Sequence, residues 1–544
     1  MNRRVIASLA FCAAFACAGS MSRSARVYAA GPHDAGDSFH TSDRCVACHN
    51  NLVTPSGKDV SIGVAWRSSI MANAGRDPYW QASVRRESVD HPESTKAVED
   101  DCSICHMPMQ HLIDRGNRRE TEVFTRFPKL GAKNGYTPAA DGVSCSVCHQ
   151  VEVNGLGTPQ TFSGNVQVAP PLNNVSRPEY GPFDIDGEHQ EIMRTSTVGF
   201  MPSRGDHIRD SALCGSCHTL YTVARGPGGK EVGQLAEQMP YLEWQHSDYR
   251  DKQSCQQCHM PEVKEQVQIS SVFGPQRQGL HQHLFLGGNF LMQGMLQDHA
   301  QELAVNVPNN ELQSAAHGTM EFLQSQAAQV HLAGITRTDN GFTFTVQVKN
   351  LTGHKLPTAY PSRRAWLHVV VRDNSGKTIF ESGALRPDGS IVGNRNDADP
   401  LQYEPHFPVI TDPQQVEIFE SILKDQQGHV TTGLLAAVGY LKDNRILPTG
   451  FDKATAKPDI AVIGAAAADA NFTGGESQTH YEVRSAASGQ IHVTAELWYQ
   501  PIGFRWAHNL EPYKTSETER FVSYYNQASS KSAILLAAAQ RDLH

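Results

Sequence analysis

The sequence predicts a mixed architecture: a loop- and helix-rich first part, followed by an antiparallel β-sandwich-like domain. Three observations predict it. Five C-x-x-C-H motifs fall between Cys45 and His259. The chain around them is rich in Gly, Pro, Ser and Asn, as in NGLGTPQTFSGNVQVAPPLNN at 154–174, and is short of long apolar-periodic helices. Past about residue 329 the apolar period changes from helical to alternating.

The first element is a leader, residues 1–30. Two arginines precede an apolar run from Val5 to Ala18, and small residues follow. This is the pattern of a secretory signal peptide, too short and wrongly flanked to span a bilayer. Cleavage is expected after Ala18 (Ala16-Cys17-Ala18) or near Ala29 (Val27-Tyr28-Ala29). Cys17 as a lipoprotein cysteine is the alternative, and Ala14 stands where that signal wants leucine. No later stretch is long enough to cross a membrane, the run Ala533 to Ala539 included.

The formal charge is -9, and the leader holds four arginines and no acids, so the rest of the chain carries -13. Such a surface argues against nucleic acid as a partner; it is first of all a solubility device, with docking to a basic redox partner as the alternative.

The second element, 31–285, carries the chemistry. The motifs read CVACH (Cys45, Cys48, His49), CSICH (Cys102, Cys105, His106), CSVCH (Cys145, Cys148, His149), CGSCH (Cys214, Cys217, His218) and CQQCH (Cys255, Cys258, His259). They use ten of the twelve cysteines; the other two, Cys12 and Cys17, lie in the leader. A zinc ribbon or a redox dithiol also uses C-x-x-C, but neither requires histidine next. With 25 histidines in 544 residues, five such histidines by chance is about 2 in ten million. C-x-x-C-H is the attachment signal of c-type haem. Each thiol adds to a porphyrin vinyl group, and the following imidazole lies under the iron as proximal ligand. The expectation is five covalently attached haem c groups, with the macrocycles serving as the core of 31–285. An exported chain that commits every mature thiol in this way has none left for a disulfide.

A helical connector, 286–328, comes next. Leu312, Ala316, Met320, Leu323 and Ala327 recur at helical spacing, with Asn309 or Asn310 expected as the cap after Pro308. Met320 reads as core rather than ligand. The β-domain spans 329–525 and is expected to fold without haem. GFTFTVQVKN (341–350) alternates Phe342, Phe344, Val346 and Val348 against polar residues, and Asp339-Asn340-Gly341 before it is a hairpin turn signal. AWLHVVVRDNSGKTIFES (365–382) reads as strand, turn, strand, and GQIHVTAELWYQ (489–500) as another strand. Residues 526–544 are expected as a C-terminal tail.

Several longer stretches carry a resemblance: WRSSIMANAGRDPYWQASVRRE (66–87), YLEWQHSDY (241–249), HLFLGGNF (283–290), NLTGHKLPTAYPSRRAWLHV (350–369) and YLKDNRILPTGF (440–451). They resemble a group of bacterial multihaem c-type cytochromes. In that group an N-terminal haem domain, distantly similar to the tetrahaem electron carrier of ammonia oxidisers, is joined to a C-terminal β-domain. The resemblance implies electron transfer outside the cytoplasm, in the periplasm or at the outer surface, in respiration and with redox partner proteins. It names no substrate. Pentahaem nitrite reductases share the haem count but not the pattern; they typically carry a C-x-x-C-K site, and none is present.

Position along the chain singles out candidate sixth ligands. His111, five residues past His106, is better placed to reach a neighbouring haem than its own. His40, His207 and His246 precede attachment sites, and His283 follows the last one. Weaker candidates are His281 beside it, His354 in the TGHKLPT loop, and Met71 in an apparent helix. Supply of histidine therefore favours an electron carrier with six-coordinate haems. The alternatives are an oxidoreductase with one five-coordinate haem acting on a small nitrogen or sulfur compound, and a subunit of a larger haem assembly.

Overall fold

The structure is a computed structural model that describes residues 39–127, 137–168, 177–197, 199–487 and 489–543. The expected leader, with Cys12 and Cys17, lies outside the described residues.

Each motif is tied to a short helical turn. Cys45 lies in Asp43–Val46, and Thr95–His106 ends on the second motif. Cys145–His149 and Cys255–His259 are helices in themselves, and Cys214 lies in Ser211–Gly215. Helical pitch gives the spacing its meaning, because residues at i, i+3 and i+4 share one face. Both thiols and the imidazole of a motif thus project together. Local caps hold these turns: Ser254 accepts from the Gln257 amide in a capping box, and Asp210 accepts from the Ala212 amide. Between motifs, Leu220–Arg225 and Glu231–Gln238 pair antiparallel across the GPGG turn.

Met71 is not helical. It falls in a turn between Ile62–Arg67 and Ala74–Arg76. The Ala72 amide donates to the Ser69 hydroxyl, and the Asn73 amide side chain donates to the Arg67 and Ser69 carbonyls, side-chain bonds that compete with a helix. The connector helix, Asn309–Gln326, buries Leu312, Thr319 and Leu323, with Met320 packed half-buried against the core. Its cap position is Pro308, so Asn309 is the first helical residue and neither asparagine caps it.

From Ala328 onward the regular structure is mainly sheet. One five-stranded sheet runs Phe472–Thr473, Glu476–Arg484, Gly341–Asn350, Ala328–Thr338, with Val409–Ile410 parallel to Glu476–Arg484. The other runs Ile418–Phe419, Arg364–Asp373, Ile491–Gln500, Ile534–Leu543, and Thr378–Ser382 also pairs with Arg364–Asp373. The alternation expected in 341–350 is present: Phe342, Phe344, Val346 and Val348 are buried, and Phe344 stacks on Tyr481 at 5.0 Å. Thr338 pairs with Gly341 across a two-residue turn. Gly341 has φ +154°, and a Cβ there would meet the Val483 carbonyl at 1.9 Å, so only glycine fits.

Residues 526–544 are not a tail. They contain the end of the helix Ser516–Ala528 and the strand Ile534–Leu543, which pairs along Ile491–Tyr499. The apolar run from Ile534 to Ala539 supplies a sheet edge. The main core joins residues of both sheets, Phe344, Tyr481, Val369 and Leu497, to Tyr79, Ala82, Leu235 and Met239 from the motif-bearing part. Among the described residues, no helix is long and apolar enough to cross a membrane.

Candidate cofactor cavity

One cavity of about 1910 Å³ is lined by all ten motif cysteines and all five motif histidines. A single small-molecule site has roughly 300–1,000 Å³, so this space suits several large groups. The ten thiols form no disulfide. Thiols of different motifs meet: Cys45 with Cys145, Cys105 with Cys217, and Cys214 with Cys255. The spatial order of the motifs therefore differs from the chain order. The first neighbours the third, and the fourth neighbours both the second and the fifth.

Four of the five motif imidazoles share a hydrogen-bond pattern. Nδ1 of His49 donates to the Ile269 carbonyl at 2.6 Å, His106 to Ala74 at 3.0 Å, and His149 to Tyr180 at 2.5 Å. Nδ1 of His259 donates to the Leu286 carbonyl. A carbonyl only accepts, so Nδ1 carries the proton and Nε2 is left with its lone pair. This is the arrangement that orients a metal-ligating histidine. Burial reinforces it by disfavouring the imidazolium: His106 and His218 are pushed down to about 4, and His49, His149 and His259 are lowered.

Three of the other candidates on the cavity wall follow the same rule. Nδ1 of His281 donates to Met260 at 2.6 Å, of His283 to His281 at 3.0 Å, and of His354 to Lys355 at 2.9 Å. Burial lowers His283 to about 3 and His354 to about 4. Two of these rings face motif histidines. His149 and His283 have centroids 6.4 Å apart and planes 15° apart; for His259 and His354 the values are 6.2 Å and 13°. A metal between two imidazoles, with metal–nitrogen bonds of about 2.0 Å, sets ring centroids roughly 6 Å apart. His111 is buried on the same wall, with Nδ1 3.1 Å from the Ser103 hydroxyl and 3.3 Å from Asp100. Met71 also lines the cavity.

The remaining candidates are placed elsewhere. Nε2 of His207 bonds the Val151 carbonyl at 2.9 Å, and that of His246 the Asp452 carbonyl at 3.0 Å. Neither lines the cavity. His40 packs its ring on Phe200 at 5.0 Å, also off the wall. Sequence reasoning missed three groups. Trp80 stacks on His106 at 4.5 Å, 4° from parallel. His189 lines the cavity with Nδ1 on Asp186 at 2.7 Å. Arg363 lines it between His354 and the second sheet. A search for carboxylates three residues before a histidine would have found His189; the other two have no local signal.

The donor set fits covalent haem: paired thiols beside an imidazole on one face, lone pairs turned inward, and room for several macrocycles. No known family model matches the chain, and no curated protein matches it. Among solved structures it is similar to a penta-heme cytochrome c552 from Thermochromatium tepidum. That match has a TM-score of 0.50 and 14% identity, and covers 94% of this chain and 100% of the other. The chain thus has a multihaem cytochrome c-like fold.

Proposed function

We propose that this chain is an exported pentahaem c-type cytochrome that carries electrons between redox partner proteins in the periplasm or at the outer surface. The observation that supports it most is one cavity walled by all five thiol pairs and all five motif imidazoles. When bound, each haem supplies a one-electron ferric–ferrous couple. The cysteines would hold the rings covalently, and His49, His106, His149, His218 and His259 would be the proximal ligands. His283 would complete the site of His149, and His354 that of His259. His111, His281 and Met71 are further candidates on the wall. The meeting of Cys45 with Cys145, Cys105 with Cys217 and Cys214 with Cys255 supports close spacing of the rings, as electron transfer requires. The proposed organisation is a pentahaem part (31–285), a connector (286–328) and a β-rich part that begins near 329 and includes Ile534–Leu543.

A catalytic reading has one specific support. Among the described residues, no histidine ring faces His49, His106 or His218 as His283 and His354 face their partners. Electron paramagnetic resonance of the oxidised protein decides between the two. An all-low-spin spectrum is expected. A strong high-spin ferric signal with turnover of nitrite or hydroxylamine would overturn the carrier reading.

A further inference from the structure

Arg363 and Arg364 are adjacent and are treated in opposite ways. Arg364 is buried and donates to both carboxylate oxygens of Asp397, at 2.7 and 3.0 Å. Arg363 turns to the cavity instead. Its Nη1 donates to the Thr358 carbonyl at 3.1 Å, and among the described residues no carboxylate pairs with it. A guanidinium has five N–H donors in a planar fork that matches carboxylates and oxyanions. Leaving it half-buried without an anion is unfavourable.

Its position is functional in outline. Its Nη1 lies 3.6 Å from where a Gly288 Cβ would sit, beside the loop whose Leu286 carbonyl orients His259. The Tyr499 hydroxyl donates to the Gly288 carbonyl at 2.9 Å and fixes that loop against the second sheet. Arg363 lines the same cavity as His218, His259 and His354. A cation so placed is close to two attachment sites at once.

We infer that Arg363 is an anion seat inside the cavity, taking a carboxylate or small oxyanion beside His218, His259 and His354. The inference rests on the haem reading above. Two sources have this chemistry: a haem propionate, or a free oxyanion such as nitrite or sulfite.

The test uses the mature holoprotein and the variants Arg363→Gln and Arg363→Lys. Haem content is taken by intact mass, and each protein is titrated electrochemically and with sodium nitrite and sodium sulfite under optical and paramagnetic resonance detection. If the anion is a propionate, R363Q lowers the midpoint potential of one haem group, because a lost cation favours the ferric state. R363K then retains most of the wild-type value, and added anions change nothing. If it is a free oxyanion, nitrite or sulfite perturbs the wild-type spectrum saturably, and R363Q weakens that response at least tenfold. Should R363Q lose haem, R363K carries the test, with an intermediate shift or an intermediate affinity expected. A soundly folded variant with wild-type potentials and wild-type anion response overturns the anion seat. A wild type without covalent haem overturns the cytochrome reading instead.

Discussion

His259 and His354 face one another with ring centroids 6.2 Å apart and planes 13° apart. One closes the last motif; the other hangs from a loop ahead of the Arg364–Asp373 strand. Their backbone partners explain the approach. The Lys355 amide donates to Glu243 at 3.1 Å, and Glu243 sits in the helix Pro240–Gln245 that leads into the last motif. The Lys355 ammonium is tied to Asp443 at 2.7 Å, so the loop is held from both sides.

Replacing His354 or His283 by alanine is expected to convert one haem each from low to high spin and to open one carbon monoxide site. The covalent haem count should not change. Replacing His207 or His246 is expected to leave the spectrum as it was, because neither lines the cavity. A spin change in the second pair and none in the first would refute the ligand assignment.

Denatured mature protein is expected to retain five haems, since thioether bonds survive unfolding. Intact mass measures this directly. A fully matured sample that fits four or fewer would show that one thiol pair has another use.

His406 gives a pH dependence outside the cavity. Burial favours its neutral form, but Glu417 at 2.6 Å and Asp469 at 2.9 Å overrule it and raise the pKa. A group whose folded pKa is raised contributes fully below its ordinary value, about 6.5 for histidine, and the contribution is lost as pH climbs through the folded value. Thermal stability of the holoprotein is therefore expected to fall as pH rises above that point. His406→Gln leaves two buried carboxylates without their cation and is expected to cost about 3–5 kcal/mol at pH 6. The gap to wild type should narrow on the alkaline side. A constant gap across a melting series from pH 5 to 9 would reject the linkage.

Truncation tests where the β-rich part ends. Segment 328–543 keeps the strand Ile534–Leu543 paired along Ile491–Tyr499; segment 329–525 strips it off and bares a long strand edge. The longer piece is expected to melt cooperatively and the shorter to aggregate. Equal behaviour on calorimetry would mean that the last strand contributes nothing to the fold.

Phe344→Ala tests the shared core. Its ring stacks on Tyr481, and its removal is expected to cost about 3–5 kcal/mol without altering any haem spectrum. A shifted haem spectrum would show tighter coupling between the sheets and the cavity than the packing implies.

What could be read from the chain follows from how local each signal is. The five motifs were legible because covalent attachment needs its residues within one helical turn. The strand at 341–350 was legible because alternation is a property of consecutive residues, and the Asp339-Asn340 turn because Gly341 excludes any side chain. Facing ligands are different. They were ranked by closeness in sequence, which put His207 and His246 ahead of His354. Apposition of two imidazoles is set by tertiary packing, and a candidate from the β-rich part faces His259. His40, His207 and His246 show that a histidine near an attachment site is free to bond backbone or pack on a ring. The tail was misread because a run of small apolar residues is ambiguous until a neighbouring strand gives it an edge.

The loop that carries His354 sets the timing of biogenesis. Synthesis delivers a chain from its N-terminus, so the last motif emerges well before the imidazole that faces it. For that interval the site would be held on one side only, open to oxygen, carbon monoxide or a stray thiol. Closure must await the strand Gly439–Asp443, whose Asp443 holds the buried Lys355 ammonium. A stalled or clipped product would therefore be a reactive species rather than a smaller version of the same protein.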